Sequence, residues 1–187
     1  VIRLEDADIT RAKPRESLDA GVGFIPEDRS TDGIIASFSI ADNLVLDQFR
    51  SSSFSAAGSL KRGAIARNAR DKEKEYDIRL TSIDDPVSSL SGGNQQKVVL
   101  AKWLATKPSV LILNGPTVGV DVGSKAEILD ILREQAEAGM AIVIISDDAP
   151  ELVSCCHRVL ITKGGHIAAE LAGEDVDART IRKMVVS

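Results

Sequence analysis

Cysteine is almost absent from this sequence of 187 residues, which has two, and the two are neighbours, Cys155 and Cys156. Adjacent cysteines have poor geometry for an ordinary disulfide, and two thiols are too few ligands for a zinc site. The sequence therefore excludes a fold held together by disulfides or by structural zinc. We expect both cysteines to be packing residues of a helix.

Aromatic residues are also scarce, at 3% of the sequence, although 43% of the residues are apolar. This composition predicts one globular domain with an aliphatic core of Val, Ile, Leu and Ala. Basic residues are in deficit, because 23 Lys and Arg stand against 28 Asp and Glu, giving a net charge of -5. Such a chain has no broad basic surface for nucleic acid or anionic lipid, so any phosphate binding must be local.

Long hydrophobic runs are missing as well. The most apolar uncharged stretch, Ala141 to Ser146, is far shorter than the roughly 20 residues needed to cross a bilayer. The start of the sequence has no signal-peptide pattern, because charged residues interrupt every apolar run there. We therefore expect a chain that does not span a membrane and that lies in the cytoplasm.

Three apolar runs have the length and the β-branched content of buried strands, namely Val22 to Ile25, Val110 to Leu113 and Ala141 to Ile145. A helix is predicted between the last two, where Ser124 and Glu127 fit a capping box and apolar residues follow at helical spacing. A strand, a helix and a second strand in this order favour a parallel sheet, so the fold class is predicted to be α/β.

The rest of the chain gives weaker signals. A short helix is predicted to begin near Asp148, followed by a strand from His157 to Lys163, a hairpin partner from Ile167 to Leu171 and a final amphipathic helix. The middle of the chain, residues 40–106, is predicted to be helical, with a surface loop from Ser51 to Ser59 and a charged helix around Lys61 to Tyr76.

One motif carries most of the functional argument. Residues Leu90 to Lys97 read LSGGNQQK and come directly before a helix with apolar residues at Val99, Leu100, Trp103 and Leu104. Ser91 offers a hydroxyl, Gly92 and Gly93 allow close approach to the backbone, and a helix start presents unpaired amides with a positive dipole end. The motif thus suits a phosphate, although a serine and two glycines alone also fit a flexible loop with a helix cap.

This string resembles the signature motif of ATP-binding-cassette (ABC) ATPases, in the form found in simple-sugar importers. GVGFIPEDR at Gly21 to Arg29 is similar to the Q-loop segment, with Glu27 at the Q-loop position, and Ile40 to Leu46 is similar to the opening of the helical subdomain. Pro108 to Ile128 resembles the Walker B strand and the D-loop, with Asp121 in the D-loop. The resemblance covers nearly the whole chain.

The resemblance implies a partial P-loop NTPase core with a mainly parallel sheet and a helical subdomain. Residues 1–39 would form an N-terminal core segment with the Q-loop, residues 40–106 the helical subdomain ending in the signature motif and its helix, and residues 107–187 the α/β core with Walker B, D-loop and switch region. No G-x-x-x-x-G-K-[ST] phosphate loop occurs in the 187 residues, so we expect the C-terminal part of the importer's second nucleotide-binding domain, without its phosphate-loop strand.

The family's catalytic positions are also altered. Walker B normally ends in Asp, which holds magnesium, followed by Glu, which orients or deprotonates the attacking water. This sequence has Asn114 and Gly115 at these positions. Asp147 stands where the family usually has the switch histidine. An amide lacks the charge that Mg²⁺ prefers, and loss of a general base typically costs about 10² to 10⁴-fold in rate. We expect no intact catalytic residue, no metal site and no ATP hydrolysis or tight ATP binding by the chain alone.

The intact signature implies a role in a partner's site. We expect these residues to contact a nucleotide held by another domain, with Asp121 helping to align it: Ser91, Gly92, Gly93, Asn94 and Gln95. ATP and Mg²⁺ would then belong to the parent assembly, with a companion nucleotide-binding domain and transmembrane permease subunits as partners on the inner face of the membrane. No nucleic acid is expected.

Three alternatives remain at this point. The chain could be a silent scaffold or regulatory module, or it could serve a nucleoside importer, and the sequence does not name the sugar. A DNA-repair or chromosome-type ATPase head is disfavoured, because the short distance from Glu27 to Ser91 leaves no room for long coiled coils and the net charge is negative.

The missing strand also has a structural consequence. By resemblance, the phosphate-loop strand lies between the strands Ala141 to Ile145 and His157 to Lys163, so its absence leaves backbone groups on both unpaired. We expect one of three outcomes: self-association of the chain through this edge, closure of the gap, or local disorder.

Overall fold

A computed structural model of the chain describes residues 1–186. In chain order, the strands are β1 Arg3–Leu4, β2 Ala7–Asp8, β3 Val22–Ile25, β4 Ser55–Ala56, β5 Ser59–Leu60, β6 Val110–Asn114, β7 Ala141–Ile145, β8 Arg158–Lys163 and β9 His166–Ala172. The helices are α1 Pro14–Asp19, α2 Ile40–Asn43, α3 Arg62–Glu75, α4 Gly92–Leu104, α5 Val122–Glu137, α6 Ala149–Cys155 and α7 Ala178–Val186. None of these helices is both long and apolar enough to cross a bilayer.

The centre of the fold is a three-stranded parallel sheet in the order β3, β6, β7. The pairing joins Phe24 to Ile112 and Ile112 to Val143, so these three side chains lie in one row on the same face. Alternate positions, such as Leu111 and Leu113, are buried. The predicted parallel arrangement is confirmed, and β6, α5 and β7 form the expected strand, helix and strand unit.

A single aliphatic cluster fills most of the interior. It contains one face of the sheet, the inner side of α4, the middle of α5 from Ile128 to Leu132, and residues of α2 and α3, with Tyr76 as its buried aromatic member. A smaller cluster lies between α6, α7 and the antiparallel hairpin of β8 and β9. Cys155 packs against the large cluster and Cys156 against the small one, and both thiols are free, with 3.8 Å between their sulfurs.

Three expectations need correction. The helix α5 begins at Val122 and not at the predicted capping box, because the carboxylate of Asp121 accepts the amide of Ser124 and so occupies the cap position. The residues 40–106 are less helical than expected, since α2 is a single turn and β4 and β5 form a small hairpin within the predicted loop. The strand β7 is only half-buried, because its alternate side chains, including Val143 and Ile145, are exposed.

Within residues 1–186, β7 has no strand paired to the edge that faces away from β6, and β8 has none on the edge that faces away from β9. The two strands belong to separate sheets, so closure of the gap by direct pairing is wrong, and both strands are formed. On the sheet face next to this edge Phe24, Val143 and Ile145 are each about half exposed, at 48%, 49% and 52%. Self-association of the chain therefore stays a prediction.

We expect light scattering to find species heavier than the 19.9 kDa monomer, because an apolar strand with a free edge favours pairing with another copy. Val143→Lys places a charge on this edge without disturbing the buried core, and it should shift the population to monomer. Val122→Lys changes an exposed valine at the start of α5 and serves as the control. A monomeric parent chain at high concentration would contradict the prediction.

Candidate functional site

The signature residues lie at the start of α4, on the surface of the molecule. Ser91 is the N-cap residue and is exposed, and its carbonyl accepts the first helical bond from Gln95, at 2.9 Å. Within residues 1–186 the backbone amides of Gly92, Gly93 and Asn94 have no acceptor. The Ser91 hydroxyl does not cap the helix and instead accepts from the side-chain amide of Asn94, at 3.0 Å. This end of α4 therefore presents free donors that suit an anion.

The two glycines are needed for packing as well. A Cβ at Gly92 would lie 2.6 Å from Nη2 of Arg29 and 2.8 Å from the Gly119 carbonyl oxygen. A Cβ at Gly93, which is buried, would overlap with Oγ and Cβ of Ser124. The sequence analysis assigned both glycines to the approach of a phosphate. The structure adds that they let α4 lie directly against the loop that leads into α5.

The side chains of Asn94 and Gln95 are bonded within the chain. Oδ1 of Asn94 accepts the Arg79 backbone amide at 2.8 Å, and Nε2 of Gln95 donates to the carbonyls of Leu90 at 3.0 Å and Val87 at 3.4 Å. Both side chains thus brace the loop before α4. The Ser91 hydroxyl and the free backbone amides are therefore the groups of this turn with most capacity left for an anion.

Two buried lysines, which the sequence analysis missed, fix the orientation of α4. Nζ of Lys97, only 2% exposed, lies 2.8 Å from Oε2 of Glu127 on α5 and donates to the Asp77 carbonyl at 2.8 Å. Nζ of Lys102 donates to the Gly33 carbonyl at 2.9 Å. Lys102, between Ala101 and Trp103, is a lysine inside an apolar helical stretch, whereas Lys97 follows three amide side chains and has no such signal.

The predicted Walker B and Q-loop residues meet at the carboxyl ends of β3 and β6. Nδ2 of Asn114 donates to Oε2 of the exposed Glu27 at 3.4 Å. Gly115 follows in a left-handed conformation, with φ of +55°, and a Cβ there would lie 2.8 Å from Cγ2 of Val118. A glutamate at this position would therefore be strained. Asp147 lies in the exposed loop after β7, so each altered position borders the same edge of the sheet.

Asp121 lies beside the signature turn of the same chain. Its Oδ1 accepts the Ser124 amide at 3.0 Å and its Oδ2 accepts the Ser124 hydroxyl at 2.8 Å. Both bonds lower the pKa of Asp121, the amide bond more than the hydroxyl bond. Oδ2 is also 3.4 Å from where a Cβ of Gly93 would stand. The predicted D-loop and signature residues are thus brought together at one surface.

A buried polar cluster holds the loop between β6 and α5 against α6. Oγ1 of Thr117 donates to Oε2 of Glu151 at 2.7 Å, and Nζ of Lys125 lies 3.4 Å from the same oxygen. Lys125 also pairs with Asp148, and this hydrogen bond lowers the pKa of Asp148. The cluster fixes the loop that ends in Asp121 relative to the segment that carries Asp147.

The chain is similar in sequence to ATP-binding proteins of bacterial importers. A family model described as "ABC transporter" matches residues 1–118. A ribose import ATP-binding protein of Burkholderia cenocepacia strain HI2424 is 42% identical over 183 residues, which is 96% of this chain and 35% of that protein. A ribose import ATP-binding protein of Rhodococcus jostii strain RHA1 is 42% identical over 180 residues, with the same two shares. The chain thus spans about a third of the length of these relatives.

Solved structures give a matching result for the fold. An ATP-binding cassette of an ABC transporter has a TM-score of 0.78 at 21% identity, over 97% of this chain and 73% of that chain. A dimeric cassette in a post-hydrolysis state, bound to ADP and Pi, has a TM-score of 0.66 at 19% identity, over 91% of this chain and 70% of that chain. The predicted fold class is confirmed.

Proposed function

Because the chain belongs to the ABC transporter family, as its match over residues 1–118 shows, we propose that it is part of the ATP-binding subunit of a bacterial carbohydrate importer. The substrate class is supported by the ribose importers at 42% identity. The partners are a companion nucleotide-binding domain and the permease subunits, and the subunit works at the inner face of the membrane.

The role of this chain is to complete an ATP site whose phosphate loop belongs to the companion domain. The start of α4 supports this proposal: the Ser91 hydroxyl is exposed, and the amides of Gly92, Gly93 and Asn94 have no acceptor within residues 1–186. Donors of this kind fit the oxygens of a γ-phosphate. Asp121 aligns the neighbouring loop, and Asn94 and Gln95 brace the turn through their side chains.

The chain's own altered site does not fit a catalytic Mg²⁺. Asn114 is neutral and is bonded to Glu27, which is the one carboxylate in that contact, and Gly115 supplies no side chain. Within residues 1–186 no group of three or more His, Cys, Asp or Glu side chains could hold a metal. We therefore derive no hydrolytic step at this site and assign the chemistry to the companion domain.

The test uses an ATP analogue that carries an aryl azide on its γ-phosphate. The chain is mixed with a companion domain that has an intact phosphate loop, taken from a ribose import ATP-binding protein, and is then irradiated. We expect label on a peptide containing residues 91–97 only when the companion is present, and no ATP hydrolysis by the chain alone. Equal label without the companion, or no label with it, would overturn the proposal, and binding to permease subunits without label would favour a silent scaffold.

A further inference from the structure

Arg29 lies at the junction of three segments that the proposed function uses. It begins a π-helical turn, Arg29–Gly33, which is separated from the end of β3 by three residues and starts two residues after Glu27. The Asp28 carboxylate caps this turn by accepting the amides of Ser30 at 2.9 Å and Thr31 at 3.2 Å. The far end of the turn is held by Lys102 of α4, which donates to the Gly33 carbonyl. The backbone of Arg29 is therefore fixed relative to α4.

The guanidinium of Arg29 reaches the loop between β6 and α5. Nη1 donates to the Val118 carbonyl at 2.7 Å, and Nη2 donates to the Gly119 carbonyl at 3.2 Å. On its other side, Nη2 would be 2.6 Å from a Cβ of Gly92, so only glycine leaves room for it there. One planar group thus fills the space between the Q-loop segment, the D-loop and the signature turn.

The guanidinium of Arg29 is held by hydrogen bonds to backbone carbonyls and not by a salt bridge. Within residues 1–186 it makes no ion pair, and its Nε is buried without an acceptor. A buried unpaired donor is unfavourable and calls for an explanation. The explanation is that the planar guanidinium donates to two successive carbonyls at once, which a lysine ammonium cannot do.

We propose that Arg29 is a positioning residue for the ATP site in trans, which sets the place of the D-loop relative to the start of α4. This inference rests on the proposed function. A movement of the Glu27 segment would be passed through Arg29 to the Val118–Gly119 carbonyls and so to Asp121, next to Gly93.

The first test is independent of that function and compares the chain with Arg29→Lys. This variant keeps the positive charge but cannot donate to both carbonyls from one planar group. The amides of Val118 and Val120 donate within the loop, to the Gly115 carbonyl at 3.0 Å and the Thr117 carbonyl at 3.3 Å, so their hydrogen exchange reports its order. We expect their exchange to rise about tenfold in the variant, with α3 unchanged. Arg158→Lys, at an exposed ion pair with Glu170 in the β8 and β9 hairpin, is the matched control. Unchanged exchange in Arg29→Lys would contradict the proposal that Arg29 orders this loop through its two carbonyl bonds.

The second test is the photolabelling of residues 91–97 in the presence of the companion domain. ATP is held mainly by the companion's phosphate loop, so the half-saturating analogue concentration should stay the same in Arg29→Lys. The maximal label should fall about tenfold, because the signature turn is misplaced. Equal maximal label in variant and parent chain would overturn the positioning role. If the parent chain takes no label, the proposed function fails, and the role of Arg29 in that site fails with it. The hydrogen-exchange result then decides alone whether Arg29 orders the loop.

Discussion

Ser91→Arg is expected to remove ATP capture by the signature turn, lowering label in trans and the ATPase rate of the assembled two-domain protein by about 10²-fold or more. The exposed Ser91 stands in front of the free amides of Gly92 and Asn94. A long side chain there fills the space that the phosphate would occupy, so the expected loss is steric. Within the described part of the chain, the side chain of Ser91 makes one hydrogen bond, with Asn94, so the fold should be kept.

Two further variants make this result specific. Ser88→Arg adds the same side chain at an exposed serine three residues earlier and should leave labelling unchanged. Ser91→Ala removes only the hydroxyl and keeps the amides, so its loss should be about tenfold, the value of one hydrogen bond to a charged acceptor. Unchanged turnover in Ser91→Arg, with normal circular dichroism, would contradict a role of this turn in the ATP site.

The strands of the central sheet and the signature turn could be predicted because their signals are local. β3 and β7 were predicted with correct ends, since each is a short apolar run with a clear stop, at Pro26 after β3 and at Ser146 after β7. The surface position of Ser91 followed from its place before an amphipathic helix. Asn114 was predicted as an altered Walker B residue and Glu27 as the Q-loop residue, and the parallel pairing of β3 with β6 brings them together.

Other features could not be predicted, because they depend on contacts with backbone atoms distant in sequence. The Val118 and Gly119 carbonyls that Arg29 holds are 89 and 90 positions away along the chain, and no residue pattern marks a carbonyl acceptor. The start of α5 was misplaced because Ser124 and Asp121 both fit a cap position by residue type. Only the backbone decides between them, and it gives the position to the charged acceptor Asp121.

The predicted signature turn and the predicted D-loop also pack against each other. The signature glycines were interpreted as a surface for phosphate, yet each is in contact with the loop that carries Asp121. A substitution at Gly92 or Gly93 would therefore alter ATP capture and folding together. Loss of activity alone cannot separate these effects, and a stability measurement is needed.

Gly93→Ala is expected to destabilise the chain by about 2 to 3 kcal/mol, the upper part of the range for overpacking. Gly93 does not have a positive φ, so helix propensity alone would favour alanine by up to about 1 kcal/mol. The opposite sign is expected because the new Cβ overlaps with Oγ and Cβ of Ser124, which forces α4 and α5 apart. Urea unfolding followed by circular dichroism measures the change. Gly63→Ala in α3 is the matched control, since its Cβ would meet only the end of Arg67, at 3.7 Å, and should not destabilise.

The double variant Gly93→Ala with Ser124→Gly decides what the glycine is for. Removing the Ser124 side chain opens the space that the new Cβ needs, so most of the lost stability should return, less about 1 kcal/mol for glycine within α5 and the loss of the hydroxyl bond to Asp121. If the double variant is no more stable than Gly93→Ala, the overlap with Ser124 is not the cause. If stability returns and label on residues 91–97 does not, either the glycine surface at residue 93 or the Ser124 bond to Asp121 serves the nucleotide. The single variant Ser124→Gly separates the two: normal label there assigns the loss to Gly93, and lost label assigns it to the Asp121 contact.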